Sequence, residues 1–156
     1  MFVYSVQSKH IKTALLGVFV VLTVVSLFVL SRQSEQTAQN GEISLRASTH
    51  EERMTFISQF GWDVHEEPVD VKEIIIPTEF DDTYTAYNDM QKEQGFDLTE
   101  YAGSRVKLWT YRVKNYEGYE NKDCIHANIL VHDGIVIGGD ICSVEIDGFM
   151  HTFSKP

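Results

Sequence analysis

CIHANILVHDGIVIGGDICSV, residues Cys124 to Val144, is the stretch that decides how this chain folds. Two β-branched, apolar runs flank Asp133-Gly134, a pair suited to a two-residue type I′ turn because glycine takes positive φ freely and aspartate does so better than most. The stretch therefore reads as a β-hairpin with strands at roughly 123–132 and 135–144. The turn sets His132 against Ile135 and Val131 against Val136. Beyond that point two registers are open. Counted straight through, Ile125 opposes Cys142 and Cys124 opposes Ser143, which puts the two sulfurs on opposite faces. Gly138-Gly139 invites a bulge, since paired glycines inside a strand often mark one. One extra residue there sets Ala127 opposite Ile141 and His126 opposite Cys142, a better apolar match, with Cys124 diagonal to Cys142 on one face.

Working outward, Arg105 to Val113 (RVKLWTYRV) is a third strand, separated from the hairpin by a polar turn at Asn115 to Lys122. Upstream, Pro68 and Pro77 bracket VDVKEIII, whose alternation changes phase near Glu73: Val69 and Val71 share one face, Ile74 and Ile76 the other. That predicts a bulge or an edge position. Phe149 to Phe153 can add a further short edge. Two helices complete the pattern. Ser48-Thr49-His50-Glu51 has the S-x-x-E spacing of a capping box ahead of Met54, Ile57 and Phe60, so a first helix is expected at roughly 49–60, with Gly61 ending it and Trp62 folding back toward Ile57. Phe80, Tyr84, Tyr87 and Met90 define a second at roughly 79–94, with Asp81-Asp82 complementing its dipole and Gly95 stopping it. The expected fold class is α+β in two layers: an antiparallel sheet of about four strands with two helices on one face.

The rest of the chain has a different composition. All 23 acidic residues follow position 32, and 10 of the 13 Lys and Arg do, so residues 33–156 carry a net charge of −13. Nucleic acid is thereby excluded as an expected partner, because binding it requires a basic stripe that releases counterions. Thr13 to Leu30 (TALLGVFVVLTVVSLFVL) carries no charge and spans about 27 Å as a helix, enough to cross a hydrocarbon core. A cleaved signal peptide, with Val29 and Ser31 at its cleavage site, is the rival, although its apolar region is usually shorter. The expected organisation is a cytoplasmic head at 1–10, a single transmembrane helix at 11–30 serving as membrane anchor, a flexible Ser/Gln/Thr-rich tether at 31–47 and a folded module at 48–156. Lys9 and Lys12 hold the head in the cytoplasm, which places the module outside.

Two segments carry a family likeness. QKEQGFDLTEYAGSRV (Gln91 to Val106) and ANILVHDGIVIGGDICSV (Ala127 to Val144), behind an N-terminal anchor, resemble a family of short Gram-positive bacterial proteins known only as domain of unknown function four-eight-three-zero. The resemblance implies a bacterial, membrane-tethered, extracytoplasmic protein. It implies no activity, ligand or catalytic residue.

Three readings compete at the hairpin. In the first, Cys142 is a small buried hydrophobe, and His126 and His132 are partly exposed strand residues. In the second, the strands adjust and the cysteines form a disulfide. In the third, Cys124, His126 and Cys142 converge, either as metal ligands or as a catalytic pair in which His126 lowers the pKa of Cys142. Elsewhere, Trp109 and Tyr111 share a strand face with Arg105 and Lys107. Left open, that face is an aromatic and basic binding patch; covered by helices, it is core. No G-x-S-x-G, phosphate loop or dinucleotide fingerprint occurs, and no cofactor is expected. The leading expectation is a non-enzymatic, membrane-anchored, extracytoplasmic module that binds a protein or cell-envelope partner.

Overall fold

The computed structural model describes residues 43–120 and 122–156. The expected head, anchor and most of the tether lie outside the described residues. Among the described residues no helix is long and apolar enough to cross a membrane. The described unit runs Ile43–Pro156.

Helix α1 spans His50–Ser58, strand β1 Asp70–Ile75, helix α2 Asp82–Glu93 and a 3-10 turn Leu98–Tyr101. Strands β2 (Arg105–Arg112), β3 (Ile125–His132), β4 (Ile135–Ser143) and β5 (Met150–His151) follow. The five strands form one antiparallel meander in the order β1-β2-β3-β4-β5. The stretch between the prolines is an edge strand, and the short edge expected near Phe149 is present as β5.

The hairpin has the bulged register. Asp133 and Gly134 both have positive φ (48° and 81°), as a type I′ turn requires. Val131 pairs with Val136 but Leu130 pairs with Gly138, so Ile137 is the extra residue; Ala127 then faces Ile141, and His126 faces Cys142. Gly139 is required for a separate reason. A Cβ at that position would run into the Asn128 carbonyl and the Phe153 ring.

The helix placement differs from expectation. The two helices cover opposite faces, giving three layers. On the first face, Phe56 and Ile57 of α1 join Tyr111, Val113, Ile125, Ala127, Ile129, Val131 and Ile141 in one core, closed by Phe153. On the second, Ile76, Leu98, Val106, Leu130 and Ile137 form another, with Tyr87 of α2 and Leu108 against it. The reason lies in the central strands. Leu130 and Val131 are adjacent and both buried, as are Val136 and Ile137, so next to the turn β3 and β4 put apolar side chains on both faces, although His126, Asn128 and Asp140 make the far part of the second face polar. A sheet apolar on both faces needs a cover on each.

Two local details also shift. The capping box is Thr49 and Glu52, one residue later than the Ser48–Glu51 spacing suggests: Glu52 N donates to Thr49 Oγ1 (3.2 Å), and Thr49 N donates to Glu52 Oε2 (3.1 Å). Residues 43–47, expected as the end of the tether, run beside the hairpin turn. Ala47 N donates to Gly134 O and Val136 N to Leu45 O, both at 2.8 Å.

Candidate functional site

The bulge in β4 organises the second face. It turns the backbone at Gly138-Gly139 toward α2, where Gln91 Oε1 accepts from Gly139 N (2.8 Å) and Gln94 Nε2 donates to Gly139 O (2.8 Å). Gln94 Oε1 also accepts from Phe153 N (3.0 Å). The C-terminal half of α2 is thus pinned to the sheet by polar side chains. Its N-terminal half, through Thr83, Tyr84, Ala86 and Tyr87, overhangs Ile74, Leu108 and Leu130 and leaves a cleft of about 580 Å³.

Asp140 and Asn128, paired across β3 and β4, line that cleft. Tyr87 Oη donates to Asp140 Oδ2 (2.9 Å), and Asn128 Nδ2 donates to Asp140 Oδ1 (2.9 Å) and to Cys142 Sγ (3.3 Å). Thr110 Oγ1 donates to Asn128 Oδ1 (2.8 Å) and fixes the amide's orientation. Asp140 is only 3 % exposed, and every hydrogen-bond donor to its carboxylate is uncharged. Burial pushes its pKa up, against the pull of its hydrogen bonds to Asn128 and Tyr87. Tyr87 is raised well above the usual phenol value, first by burial and then by the adjacent Asp140 charge, so it stays a donor.

The first face carries the converse arrangement. Arg53 of α1 is buried, with Nε donating to Tyr111 Oη (2.9 Å) and Nη1 to the carbonyls of Ala47 (3.1 Å) and Ser48 (3.2 Å). Its guanidinium carbon stands 3.7 Å from the Trp109 ring centroid, a cation–π contact. Trp109, Arg105, Lys107 and Arg53 line a hollow of about 350 Å³ together with Glu73 and Asp133. Tyr111 is not part of an open patch: it lies fully buried beneath Arg53. Arg105 is ion-paired with Glu73 on the neighbouring strand.

The three residues of the thiol or metal reading do not converge. Cys124 precedes β3 and packs against the first-face core, whereas the Cys142 thiol belongs to the Asp140 network on the second. Both cysteines are free. Among the described residues no group of three His, Cys, Asp or Glu side chains is placed to hold a metal ion. His126 does face Cys142, but its pKa is lowered by burial and then by the charge of Arg112. The Cys142 thiol is pushed up to about 12 by burial and then by Asp140, the reverse of what a nucleophile needs.

Sequence pattern does not single out Asp140, Asn128 or Tyr87. The available signal was the bulged register itself: pairing Ala127 with Ile141 sets Asn128 directly against Asp140, a cross-strand polar pair on the same hairpin face as His126 and Cys142.

Fold and sites together define a three-layer α+β module with a helix-roofed apolar cleft on one face and a small cation-lined hollow on the other. Residues 56–141, more than half of the chain, match the family described as Domain of unknown function (DUF4830), and the chain belongs to that family. The matched span includes α2, strands β1 to β3, most of β4, the Gly139 contacts with Gln91 and Gln94, and Asp140, but only the last turn of α1. No curated protein and no solved structure matches the chain.

Proposed function

We propose that this chain is a membrane-anchored, extracytoplasmic binding module that meets an acidic cell-envelope partner at the hollow around Trp109. Support for the anchor is the uncharged run from Thr13 to Leu30, and support for the outward placement is Lys9 and Lys12 ahead of it. The observation that carries the binding site is Arg53. Its charge is buried among neutral acceptors and a tryptophan face, and it borders a hollow whose walls add Lys107 and the Glu73-paired Arg105, with Asp133 as the other acid. On a module of net negative charge, this is a local site of attraction for a carboxylate-bearing partner.

The test uses the full chain in lipid nanodiscs and immobilised poly-glutamate as an anionic probe. Trp109→Ala is expected to weaken retention by about tenfold, as loss of a buried aromatic contact does, while Cys142→Ser leaves it unchanged. The reverse pattern contradicts the proposal. Protease accessibility of the module in intact cells checks the orientation, and protection from external protease overturns the extracytoplasmic placement.

A further inference from the structure

The cleft on the second face lies on the other side of the sheet from Trp109 and is independent of the site just proposed. Its walls are apolar: Ile74, Leu108 and Leu130 from the sheet, Met90 from α2 and Met150 from β5. Its volume of about 580 Å³ falls within the range of small-molecule sites, roughly 300–1,000 Å³. At its floor Asp140 faces Tyr87 from α2, Asn128 from β3 and Cys142 from its own strand, all of them uncharged groups. No salt bridge among the described residues reaches this carboxylate. His151, the weakest of the influences on Asp140, is on the first face, with Nε2 toward Tyr116 Oη (3.2 Å) and Nδ1 toward Thr152 O (2.6 Å).

A carboxylate that is 97 % removed from water, and left without a cation, is costly unless something supplies the missing charge. Oδ2 of Asp140 accepts from Tyr87 and Oδ1 from Asn128, with the Cys142 thiol as a further weak donor, and a carboxylate's two oxygens keep acceptor capacity beyond these. The cleft lets a cation reach it, because Asp140 itself lines the opening. We propose that this cleft binds a small apolar amine, its protonated nitrogen on Asp140 and its hydrocarbon or aromatic body against Leu108, Leu130 and the two methionines. The preference for an amine over a neutral alcohol comes from the charge-assisted hydrogen bond. The preference over a carboxylic acid comes from repulsion by Asp140.

Three of the four methionines make the test specific. Met90 and Met150 line the cleft, whereas Met54 is on α1 and packs with the opposite core. The full chain in zwitterionic nanodiscs, labelled at the methionine methyls, is titrated with hexylamine, 1-hexanol and hexanoate and followed by NMR. Hexylamine is expected to shift Met90 and Met150 saturably while Met54 stays still, with affinity about tenfold or more above that of hexanol, and hexanoate is expected to shift neither. Asp140→Asn should bring hexylamine down to the level of hexanol. Ala86→Phe, which fills the cleft from an exposed position on α2, should abolish both responses. If hexylamine binds no better than hexanol, or keeps its advantage in Asp140→Asn, the proposal fails. It fails too if Met54 moves together with the other two, or if Ala86→Phe leaves the titration unchanged. None of these results bears on poly-glutamate binding at Trp109, so the two sites stand or fall separately.

Discussion

Asp140 and Cys142 show how little a residue's type says without its neighbours. Two cysteines and two histidines in one hairpin attract a chemical reading, yet what surrounds Cys142 suppresses its reactivity. With a pKa of about 12, only roughly one part in ten thousand of its thiol is ionised at pH 8. Iodoacetamide at that pH is therefore expected to leave Cys142 unmodified in the native chain and to reach it after denaturation, as peptide mass spectrometry would report. Rapid native labelling of Cys142 would restore the thiol reading. Asp140 gives a second prediction. Its folded-state pKa lies above that of an unfolded carboxylate, so its contribution to stability is fully present below the unfolded value and is lost as pH rises through the folded one. Asp140→Asn removes the charge while keeping the size, and it should melt higher than the parent at pH 7, with the gap closing toward pH 4. A pH-independent gap in calorimetry would contradict the assignment. None of this was readable from Asp140 in isolation, because Tyr87 lies 53 residues away and only folding brings it close.

At the scale of elements, both helices, their glycine stops and all the strands were legible, since periodicity and turn chemistry are local properties. Gly61 and Gly95 do sit at positive φ (78° and 86°) just past their helices. What local pattern could not supply was the side of the sheet each helix takes. Amphipathic helices announce that they need a partner, not which face they will find. The available sign was in the strands, where Leu130-Val131 and Val136-Ile137 put buried apolar side chains on both faces next to the turn, while His126, Asn128 and His132 gave β3 the alternation of a strand covered on one side only. The capping box slipped by one because Ser48, Thr49, Glu51 and Glu52 offer two overlapping S/T-x-x-E frames. The bulge, in contrast, was foreshadowed by Gly138-Gly139. Gly139→Ala tests it: the added methyl meets the Asn128 carbonyl and the Phe153 ring, and overpacking of this kind costs about 3 kcal/mol or more where backbone must move. Gly118→Ala, also at positive φ but with open space around it, should cost less. Chemical denaturation compares the two, and equal losses would mean that the strand approach at Gly139 is looser than described.

For the molecule as a whole, the sheet separates two sites of opposite character. Arg53 is a buried cation among neutral acceptors on one face, and Asp140 is a buried anion among neutral donors on the other. Each is partnered with uncharged groups, and each borders an opening. Both proposed sites therefore depend on the helices lying on opposite faces. The direct test is a double electron–electron resonance distance in the full chain, with both native cysteines changed to serine and spin labels attached through cysteine at the exposed positions Thr55 on α1 and Thr85 on α2. Two layer spacings of roughly 10 Å set the helix axes about 20 Å apart, and outward-pointing labels carry the measured distance to roughly 30 Å or more. Helices side by side on one face would lie about 8–10 Å apart, with a label distance near 20 Å or less. The longer distance is the predicted result; the shorter one would return both helices to a single face and remove the Asp140 cleft and the Trp109 hollow together.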